Sequence, residues 1–395
     1  MKRKTTGRKS ATKRQRRNGR KISVWAAVAI VLLVAVFFLL DYFYGPFFDW
    51  RKSPSTLDGA TYSETEIKEQ DLSVHFLELG TKHTGDCVLI KSGNTEVLID
   101  AGAKTASIPT LKSYVDRYCE DGILEYVIVT HAHEDHYAGF ATGTSTQSIF
   151  DLYDCRTVIT FAQTTSGKTE QTMYKNFERE LADEVAAGAK RYTAAECING
   201  ENGAQREYDL GGGATLEILD SYYYYNVSST ENDHSVCCML HKSTGTQTKH
   251  YLFTGDLEKK GEEYLVQRNN LPKVELYKAG HHGSKTSSND VLMSVVQPKI
   301  VCVCCCAGST QYNADPENRF PSQDFIDRVA PYTQAVYVTT LCIDYGAGSY
   351  ESMNGNIAVC CSAAGETKLY FSGNKTPLKD TAWFKKNRNR PAVWS

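Results

Sequence analysis

Histidine and aspartate side chains gather in one short stretch of this chain. His131, His133, Asp135 and His136 fall within six residues, directly after an apolar run at residues 124–130. A strand end fixes the backbone, while the loop that follows it can direct side chains toward one point. Neutral imidazole and carboxylate suit zinc, and such a set can converge on one ion or on two ions about 3.5 to 4 Å apart. The stretch therefore predicts a metal site.

Other apolar runs also end in residues that can bind metals. Asp100 follows residues 97–99, Asp256 follows residues 251–253, and His281 and His282 follow residues 274–277. A single aspartate in such a place is more often a turn-capping residue. Several strand ends that carry ligand-type residues, however, predict one composite site at a shared sheet edge rather than independent turns.

The order of these segments resembles the metallo-β-lactamase fold superfamily, and within it the extracellular hydrolase-like domain of ComEC-type competence proteins. The similarity covers residues 72–371. It rests on FLELG at 76–80 with Gly85-Asp86, LIDAG at 98–102, HAHEDH at 131–136, NDHS at 232–235, FTGD at 253–256 and HHGSKTS at 281–287. The first histidine motif is strongly specific for the superfamily, and the second is fairly specific for this branch. The resemblance implies an α/β fold, a four-layer αββα sandwich.

The resemblance also implies a two-metal site that holds Zn²⁺, with Mn²⁺ as the alternative ion. His131 and His133 would bind the first ion, and Asp256 would bridge the two. The second ion would be bound by Asp135, His136 and either His281 or His282, with His281 narrowly favoured. His234 is the candidate for the remaining ligand of the first ion. An ordinary loop histidine is the competing interpretation, because this position is often not histidine in the branch.

Such a site would support hydrolysis. Water bound to a metal ion loses much of its proton affinity, its pKa falling toward ~7, so hydroxide becomes available to attack phosphorus or a carbonyl carbon. Asp135 or Asp86 could steer that water. Ser284 and Lys285, together with two serines at 287 and 288, could bind a phosphate by hydroxyl and ammonium contacts, or could only shape the loop.

Strands and helices that position these residues are predicted from hydrophobic patterning. Short apolar runs predict strands at 74–79, 87–90, 96–99, 124–130, 157–161, 216–219, 235–240, 251–253, 274–277, 300–306, 335–339, 356–361 and 367–371. Helical periodicity predicts helices at 108–119, 173–188, 260–268, 289–296 and 323–330. Early and late strands with helices between them predict two sheets covered by helices.

The N-terminal region predicts a membrane anchor. Residues 1–21 contain 11 Lys and Arg and no acid, residues 22–40 carry no charge, and aromatic residues follow to position 50. About 20 apolar residues suffice for a membrane-spanning helix, and preceding positive charge places its N-terminus in the cytoplasm. We therefore expect a basic cytoplasmic tail at 1–21, a transmembrane signal anchor at 22–44, a linker at 45–70, an extracellular hydrolase domain at 71–372 and a basic C-terminal tail at 373–395. A cleaved signal peptide is the alternative, although no small-x-small cleavage site follows.

Thirteen cysteines would normally indicate disulfides in an exported chain. Cys302, Cys304, Cys305 and Cys306, however, share one apolar run, and the pairs at 237–238 and 360–361 lie in two others. We interpret most of them as small apolar residues that fill strands. Metal ligation by the cluster, or one or two disulfides, are the alternatives.

Charge limits the choice of substrate. Residues 71–372 contain 24 Lys and Arg against 39 Asp and Glu, a net charge of −15. Proteins that bind duplex nucleic acid usually neutralise its phosphates with Lys and Arg, so this balance opposes general attraction to a polyanion. The expected function is a metal-dependent phosphodiesterase or nuclease whose substrate is DNA, another phosphodiester or a cell-envelope polymer. The alternatives are hydrolysis of a carboxylic ester or lactam, and a non-catalytic surface-binding domain. No protein partner follows from the sequence.

Overall fold

The computed structural model describes residues 59–143, 146–165, 171–245 and 247–394. The predicted basic tail, the predicted transmembrane helix and most of the predicted linker lie outside these residues. Among the helices of the described residues, none has the length and hydrophobicity that a bilayer crossing needs.

Two mixed sheets organise the described residues. Their strands are β1 Ala60–Thr61, β2 Leu72–Phe76, β3 Val88–Ser92, β4 Thr95–Ile99, β5 Ile123–Val129, β6 Asp154–Thr160, β7 Lys190–Thr193, β8 Glu207–Gly211, β9 Ala214–Ile218, β10 Cys238–Ser243, β11 Thr248–Phe253, β12 Leu276–Lys278, β13 Ile300–Ala307, β14 Val336–Asp344, β15 Ser349–Ser352, β16 Ile357–Cys361 and β17 Thr367–Phe371. One sheet has the order β1-β17-β16-β2-β3-β4-β5-β6-β7, and the other has the order β15-β14-β13-β12-β11-β10-β9-β8.

All thirteen predicted strands overlap strands of the structure. The four strands that the sequence did not predict, β1, β7, β8 and β15, are the edge strands of the two sheets. Edge strands pair on one side only and often carry polar residues. Every residue of β15 is exposed, for example, so it has no apolar run to detect.

Helices connect and cover the strands. They span Glu64–Lys68, Ile108–Val115, Glu134–Tyr137, Ile149–Leu152, Thr172–Ala187, Ala194–Asn199, Lys259–Arg268, Asp290–Val296, Gln323–Val329 and Ala382–Asn387. The five predicted helices are confirmed, although the first ends at Val115 rather than at residue 119. The remaining helices have four to six residues each, too few to establish a helical period.

Two hydrophobic cores lie on the two faces of the eight-stranded sheet. Alternate residues of β10 point to opposite faces, so Leu240 joins the first core and Met239 the second. The first core also contains Val74 and Ile128 of the nine-stranded sheet, so the two sheets share it. The second core contains helix residues such as Leu265. The chain thus has an α/β fold built on two mixed sheets.

Most of the cysteines belong to these cores. All thirteen are free thiols, and twelve of them are buried. Cys302 and Cys304 join the first core and Cys305 the second, and burial raises the pKa of the Cys305 thiol to about 12. The interpretation of these residues as small apolar side chains within strands is confirmed.

The C-terminal segment packs against the second core. Phe384 and Trp394 are buried there, and the Trp394 indole Nε1 donates a hydrogen bond to the Thr333 carbonyl over 2.8 Å. Residues near the C-terminus therefore contribute to the folded unit despite their basic composition.

Parallel pairing places the candidate residues at common edges. β4 runs parallel to β5, and β11 runs parallel to β12. Asp100 and His131 therefore follow neighbouring strand ends in one sheet, and Asp256 and His281 do so in the other. Carboxyl ends of parallel strands are where α/β proteins commonly bind ligands.

Candidate metal centre

Four buried side chains form a group that could hold a metal ion. Asp86 precedes β3, His136 lies in the short helix after β5, Asp256 follows β11 and His282 follows β12. One ligand atom from each lies within 4.8 Å of those of the others. The two sheets therefore deliver two aspartates and two histidines to one enclosed point.

Hydrogen bonds on the far side of each imidazole determine which nitrogen can bind a metal. The Nδ1 of His136 lies 2.7 Å from the Asp100 Oδ2, and the Nδ1 of His282 lies 2.9 Å from the Cys304 carbonyl and 3.1 Å from the Asp86 Oδ1. A histidine that donates from Nδ1 to such an acceptor presents a lone pair on Nε2. Both Nε2 atoms are thus prepared as metal ligands.

The spacing of the donor atoms fits one divalent ion. The Asp256 Oδ2 lies 3.1 Å from the His136 Nε2 and 3.3 Å from the His282 Nε2, and the Asp135 Oδ2 lies 3.2 Å from the His282 Nε2. Four donors placed tetrahedrally at about 2.1 Å from zinc are about 3.4 Å apart. Among the described residues, the buried His136 Nε2 also has no hydrogen-bond partner. Asp86 faces the Nδ1 atoms of both imidazoles, on the side away from these donors, whereas Asp135 lies on the Nε2 side of His282. Asp135, His136, Asp256 and His282 therefore form a suitable ligand set.

The electrostatics of this group favour added positive charge. Burial lowers the pKa of His136, but the carboxylates of Asp256, Asp100 and Asp86 outweigh it and raise that pKa well above its usual value. The pKa of His282 is raised in the same way, chiefly by Asp256 and Asp86. Burial would raise the pKa of Asp256, yet the two imidazoles hold it well below its usual value. A divalent cation would supply the charge that these carboxylates attract.

His131 and His133 lie beside this ligand set. The His131 Nε2 is 3.0 Å from the His133 Nδ1, and the His131 ring centroid is 4.2 Å from that of His136. The His131 Nδ1 faces the Ser235 Oγ at 3.4 Å. Burial lowers the pKa of His131 well below its usual value, which keeps the ring neutral, the form that binds metals.

The structure does not bring His234 into the cluster. Its Nδ1 lies 3.2 Å from the Tyr223 carbonyl, and the Ser228 amide donates to its Nε2 over 3.4 Å. Both ring nitrogens therefore bond to the backbone of the preceding loop, which is how an ordinary buried loop histidine is satisfied.

The two adjacent histidines after β12 take different places. His282 is fully buried between Asp135 and Asp256, whereas His281, the narrowly favoured ligand, borders a cavity. The His281 Nε2 is 3.8 Å from the Asp256 Oδ2, and its Nδ1 is 3.0 Å from the Thr286 Oγ1. The donor spacing therefore favours His282 as the metal ligand.

Asp86 lies behind the imidazoles rather than in the cavity. Its carboxylate faces the Nδ1 atoms of His136 and His282, and it forms an ion pair with Lys278. This position suits the orientation of ligands better than the steering of a water molecule. Asp135, the other residue predicted for that task, does border the cavity.

The hydroxyls of the loop 284–288 are engaged in contacts within the protein. The Ser284 Oγ lies 3.1 Å from the Thr286 Oγ1, and the Ser287 Oγ donates to the Leu257 carbonyl over 2.7 Å. Neither Ser284 nor Lys285 borders the cavity at the metal centre. Their predicted contact with phosphate stays a prediction.

A cavity of about 510 Å³ opens beside the ligand set. It is lined by Ala132, His133, Glu134, Asp135, Tyr137, Gln171, Met173, Asp256, His281 and Tyr312. Gln171 and Met173 belong to the segment 165–208, which therefore forms part of the cavity wall. Among the described lining residues there is no lysine or arginine. The four consecutive tyrosines at 222–225 do not line it.

Three further residues at the site escaped prediction. Lys278 ends β12, and a lysine inside an apolar strand was a signal in the sequence. Tyr312, whose hydroxyl donates to the Asp135 Oδ2 over 2.8 Å, gave no signal because it lies in an irregular loop. Glu231 accepts hydrogen bonds from the amides of Ala132 and Thr165, so it connects the loop that contains His131 and His133 to the segment 165–208.

Comparison with known proteins finds a family model that matches part of the chain. Residues 80–147 match the family model described as the metallo-beta-lactamase superfamily. This range contains Asp86, Asp100 and the histidine motif that starts at His131.

Curated relatives match more of the chain. Recombination protein 2 of Haemophilus influenzae is 26% identical over 280 residues, which are 70% of this chain and 29% of that protein. Competence protein ComA of Neisseria gonorrhoeae is 24% identical over 245 residues, 60% of this chain and 28% of that protein. The chain thus spans less than a third of the length of either relative.

Among solved structures, the metallo-beta-lactamase fold protein YhfI of Bacillus subtilis is similar to this chain. It shows 11% identity and a TM-score of 0.38, and the match covers 68% of this chain and 97% of YhfI.

Proposed function

Because the chain belongs to the metallo-beta-lactamase superfamily, we propose that it is a metal-dependent hydrolase whose active site lies where the two sheets meet. The observation that carries the proposal is the donor spacing of Asp135, His136, Asp256 and His282, with distances of 3.1 to 3.3 Å between neighbouring ligand atoms. We propose Zn²⁺ as the ion and Mn²⁺ as the alternative.

Each residue of the site has a task in this proposal. A bound divalent ion would lower the pKa of water toward ~7 and polarise the bond to be broken. Asp135 accepts a hydrogen bond from Tyr312, and both border the cavity where the substrate would lie. His281 borders the same cavity, so its Nε2 can hold a proton near the leaving group. Asp86 and Asp100 keep the imidazoles oriented from behind.

The proposed reaction is hydrolysis of a phosphodiester. Two relatives are named for recombination and competence, which makes nucleic acid the first substrate class to test. The net charge of −15 over residues 71–372 favours a short strand, a small phosphodiester or a cell-envelope polymer over duplex DNA.

A second candidate reaction is hydrolysis of a carboxylic ester or a lactam. The acidic lining of the cavity favours it, because Glu134, Asp135 and Asp256 border the cavity and no lysine or arginine of the described residues does. A substrate with little negative charge would meet no repulsion there. A non-catalytic binding domain is the remaining alternative.

The proposed membrane topology rests on the sequence of the N-terminal region. Residues 22–44 would anchor the chain in the cell membrane with residues 1–21 in the cytoplasm, and the hydrolase domain at 71–372 would act outside, as a four-layer αββα sandwich. Protease added to intact cells would then degrade the domain and spare an epitope tag at the N-terminus. Protection of the domain would contradict this topology.

A substrate screen with the purified full-length chain tests the proposed reaction. Bis(p-nitrophenyl) phosphate, single-stranded DNA and nitrocefin are offered to the wild type and to the His136→Ala and Asp256→Asn variants, each with added Zn²⁺ or Mn²⁺. His241→Ala is the matched control, because His241 pairs with Glu217 on the eight-stranded sheet, outside the ligand set. We expect hydrolysis of the phosphodiesters by the wild type and the control only.

The outcomes separate the candidates. Activity on nitrocefin alone would sink the phosphodiesterase proposal and favour the second reaction. Absence of hydrolysis by the metal-loaded wild type would leave only the binding domain. Full activity of both ligand variants would contradict the proposed roles of His136 and Asp256 as metal ligands.

A further inference from the structure

The described residues supply strong ligands for one ion but not for a second. Asp135, His136, Asp256 and His282 place neighbouring donor atoms 3.1 to 3.3 Å apart, as the ligands of one ion would be. A second ion beside His131 and His133 would need a third protein ligand, because catalytic zinc sites usually have three. His234 does not provide it, since both of its nitrogens bond to backbone atoms elsewhere.

Asp256 could in principle supply that third ligand by bridging two ions. Its two oxygens, however, have different surroundings. Oδ2 lies 3.1 to 3.8 Å from nitrogens of His136, His282 and His281, whereas Oδ1 lies 3.9 Å from the ammonium of Lys278. The oxygen that a second ion would use therefore already faces a cation.

Lys278 is held firmly in this place. Its side chain is 2% exposed, it forms an ion pair with Asp86, and its Nζ donates to the carbonyls of Gly255 and Ala279 over 3.3 and 3.2 Å. A buried ammonium with these acceptors and a carboxylate partner has its hydrogen-bonding capacity used. Moving the ammonium away would leave the buried carboxylate of Asp86 without its cationic partner, which is strongly destabilising.

We propose that Lys278 is a built-in second cation, so that the centre binds a single divalent ion per chain. The ammonium compensates negative charge on Asp86 and Asp256, which is the role that a second metal ion would have here. It also repels a second ion from the Oδ1 of Asp256. His131 and His133 then stay uncoordinated to metal, and His133 borders the cavity where the substrate would lie. This inference rests on the proposed metal-dependent function.

Metal stoichiometry tests the inference without an activity assay. The full-length chain, purified in a mild detergent, is saturated with Zn²⁺, freed of excess ion, and analysed for zinc per chain by mass spectrometry of the elements. The informative variant is the double change Asp86→Asn with Lys278→Met, which removes both charges of the buried pair and avoids an unpaired ion. We expect about one zinc per wild-type chain and about two in the double variant, where Asp256, His131 and His133 offer three donors.

Two further variants make the result specific. Asp86→Asn alone keeps the ammonium beside Asp256 and should still bind about one zinc. Lys249→Met is the matched control, since Lys249 is a buried lysine paired with Glu275 over 3.2 Å, away from the ligand set. Circular dichroism of every variant establishes that it is folded.

Each result decides a different claim. Two zinc ions in the wild type would overturn the inference and leave the hydrolase proposal intact. A single zinc in the folded double variant would show that Lys278 does not exclude the second ion. No zinc in the wild type would contradict the proposed function itself.

Discussion

Replacing Asp100 with Asn tests whether the outer hydrogen bonds prepare the metal ligands. The Asp100 Oδ2 lies 2.7 Å from the His136 Nδ1 and accepts from the Thr130 hydroxyl over 2.8 Å, while its Oδ1 accepts from the Thr130 amide over 2.8 Å. Asn has nearly the same shape. It also tolerates the left-handed backbone of this residue, whose φ is 60°. The substitution therefore changes hydrogen bonding without straining the chain.

The physical consequence is a change of tautomer. An Asn side chain that keeps its oxygen toward the Thr130 amide turns its NH₂ group toward the His136 Nδ1, which must then accept rather than donate. The imidazole proton moves to Nε2, the atom that should bind the metal. Loss of such an outer carboxylate typically lowers metal affinity by about 10- to 100-fold, or about 1.4 to 2.8 kcal/mol. We expect the Kd for Zn²⁺ to rise by that factor.

Competition with a chromogenic chelator measures the affinity. Asp233→Asn is the control, because Asp233 is also buried and accepts hydrogen bonds from Ser228 and from the Glu258 amide without touching the ligand set. Zinc binding by the Asp100 variant within twofold of the wild type would contradict this role of Asp100. An equal loss of affinity in the control would contradict it as well.

Three further predictions follow from other contacts. Zn²⁺ at a free concentration 100 times its Kd should raise the free energy of unfolding by about 2.7 kcal/mol, and thermal unfolding should show no such gain in His136→Ala. Tyr312→Phe removes the hydrogen bond to Asp135 and should lower kcat/KM about 10-fold without a change in the circular dichroism spectrum; unchanged kinetics would contradict a role for this hydroxyl. Burial raises the pKa of Glu262 from 4.5 to about 7 despite the donors of Ser288 and Asn289. The folded state therefore binds a proton that the unfolded state has released, and stability should fall by about 3 kcal/mol between pH 4.5 and pH 7. In Glu262→Gln, the free energy of unfolding measured with urea should change less between pH 4.5 and pH 7 than in the wild type. An unchanged pH dependence would argue against this residue as its source.

Interior strands could be predicted because burial on both faces demands continuous apolar runs. β13 and β16 are buried along their full length, and their sequences stand out for this reason. The four unpredicted strands are edges, where one side of the backbone needs no partner strand and side chains meet water. The position of an edge strand depends on how the interior strands pair with one another. A local sequence pattern carries no information about that pairing.

The candidate ligand residues could also be predicted from local sequence, whereas the hydrogen-bond partners of the site residues could not. Asp, His and Gly after an apolar strand mark a strand end that delivers chemistry, and His136, Asp256 and His282 lie in such places. The bonds of His234 to Tyr223 and Ser228 depend on the path of the loop 219–235, and the contact of Tyr312 with Asp135 joins residues 177 positions apart. Distances of this kind arise only when the sheets pack.

The pair His281 and His282 shows how local backbone geometry decides a role that sequence leaves open. Both residues have left-handed backbone angles, with φ of 46° and 54°, which is uncommon outside glycine. In an extended strand, neighbouring side chains point to opposite faces, so the strand's pattern of buried and exposed residues would predict which histidine points inward. Here the turn instead carries His282 inward, to Asp135 and Asp256, and leaves His281 at the cavity. Strained backbone of this kind persists where the surroundings enforce it, often at functional sites. The turn thus gives two adjacent histidines separate positions, which in the proposed mechanism let His282 hold the ion and His281 meet the substrate.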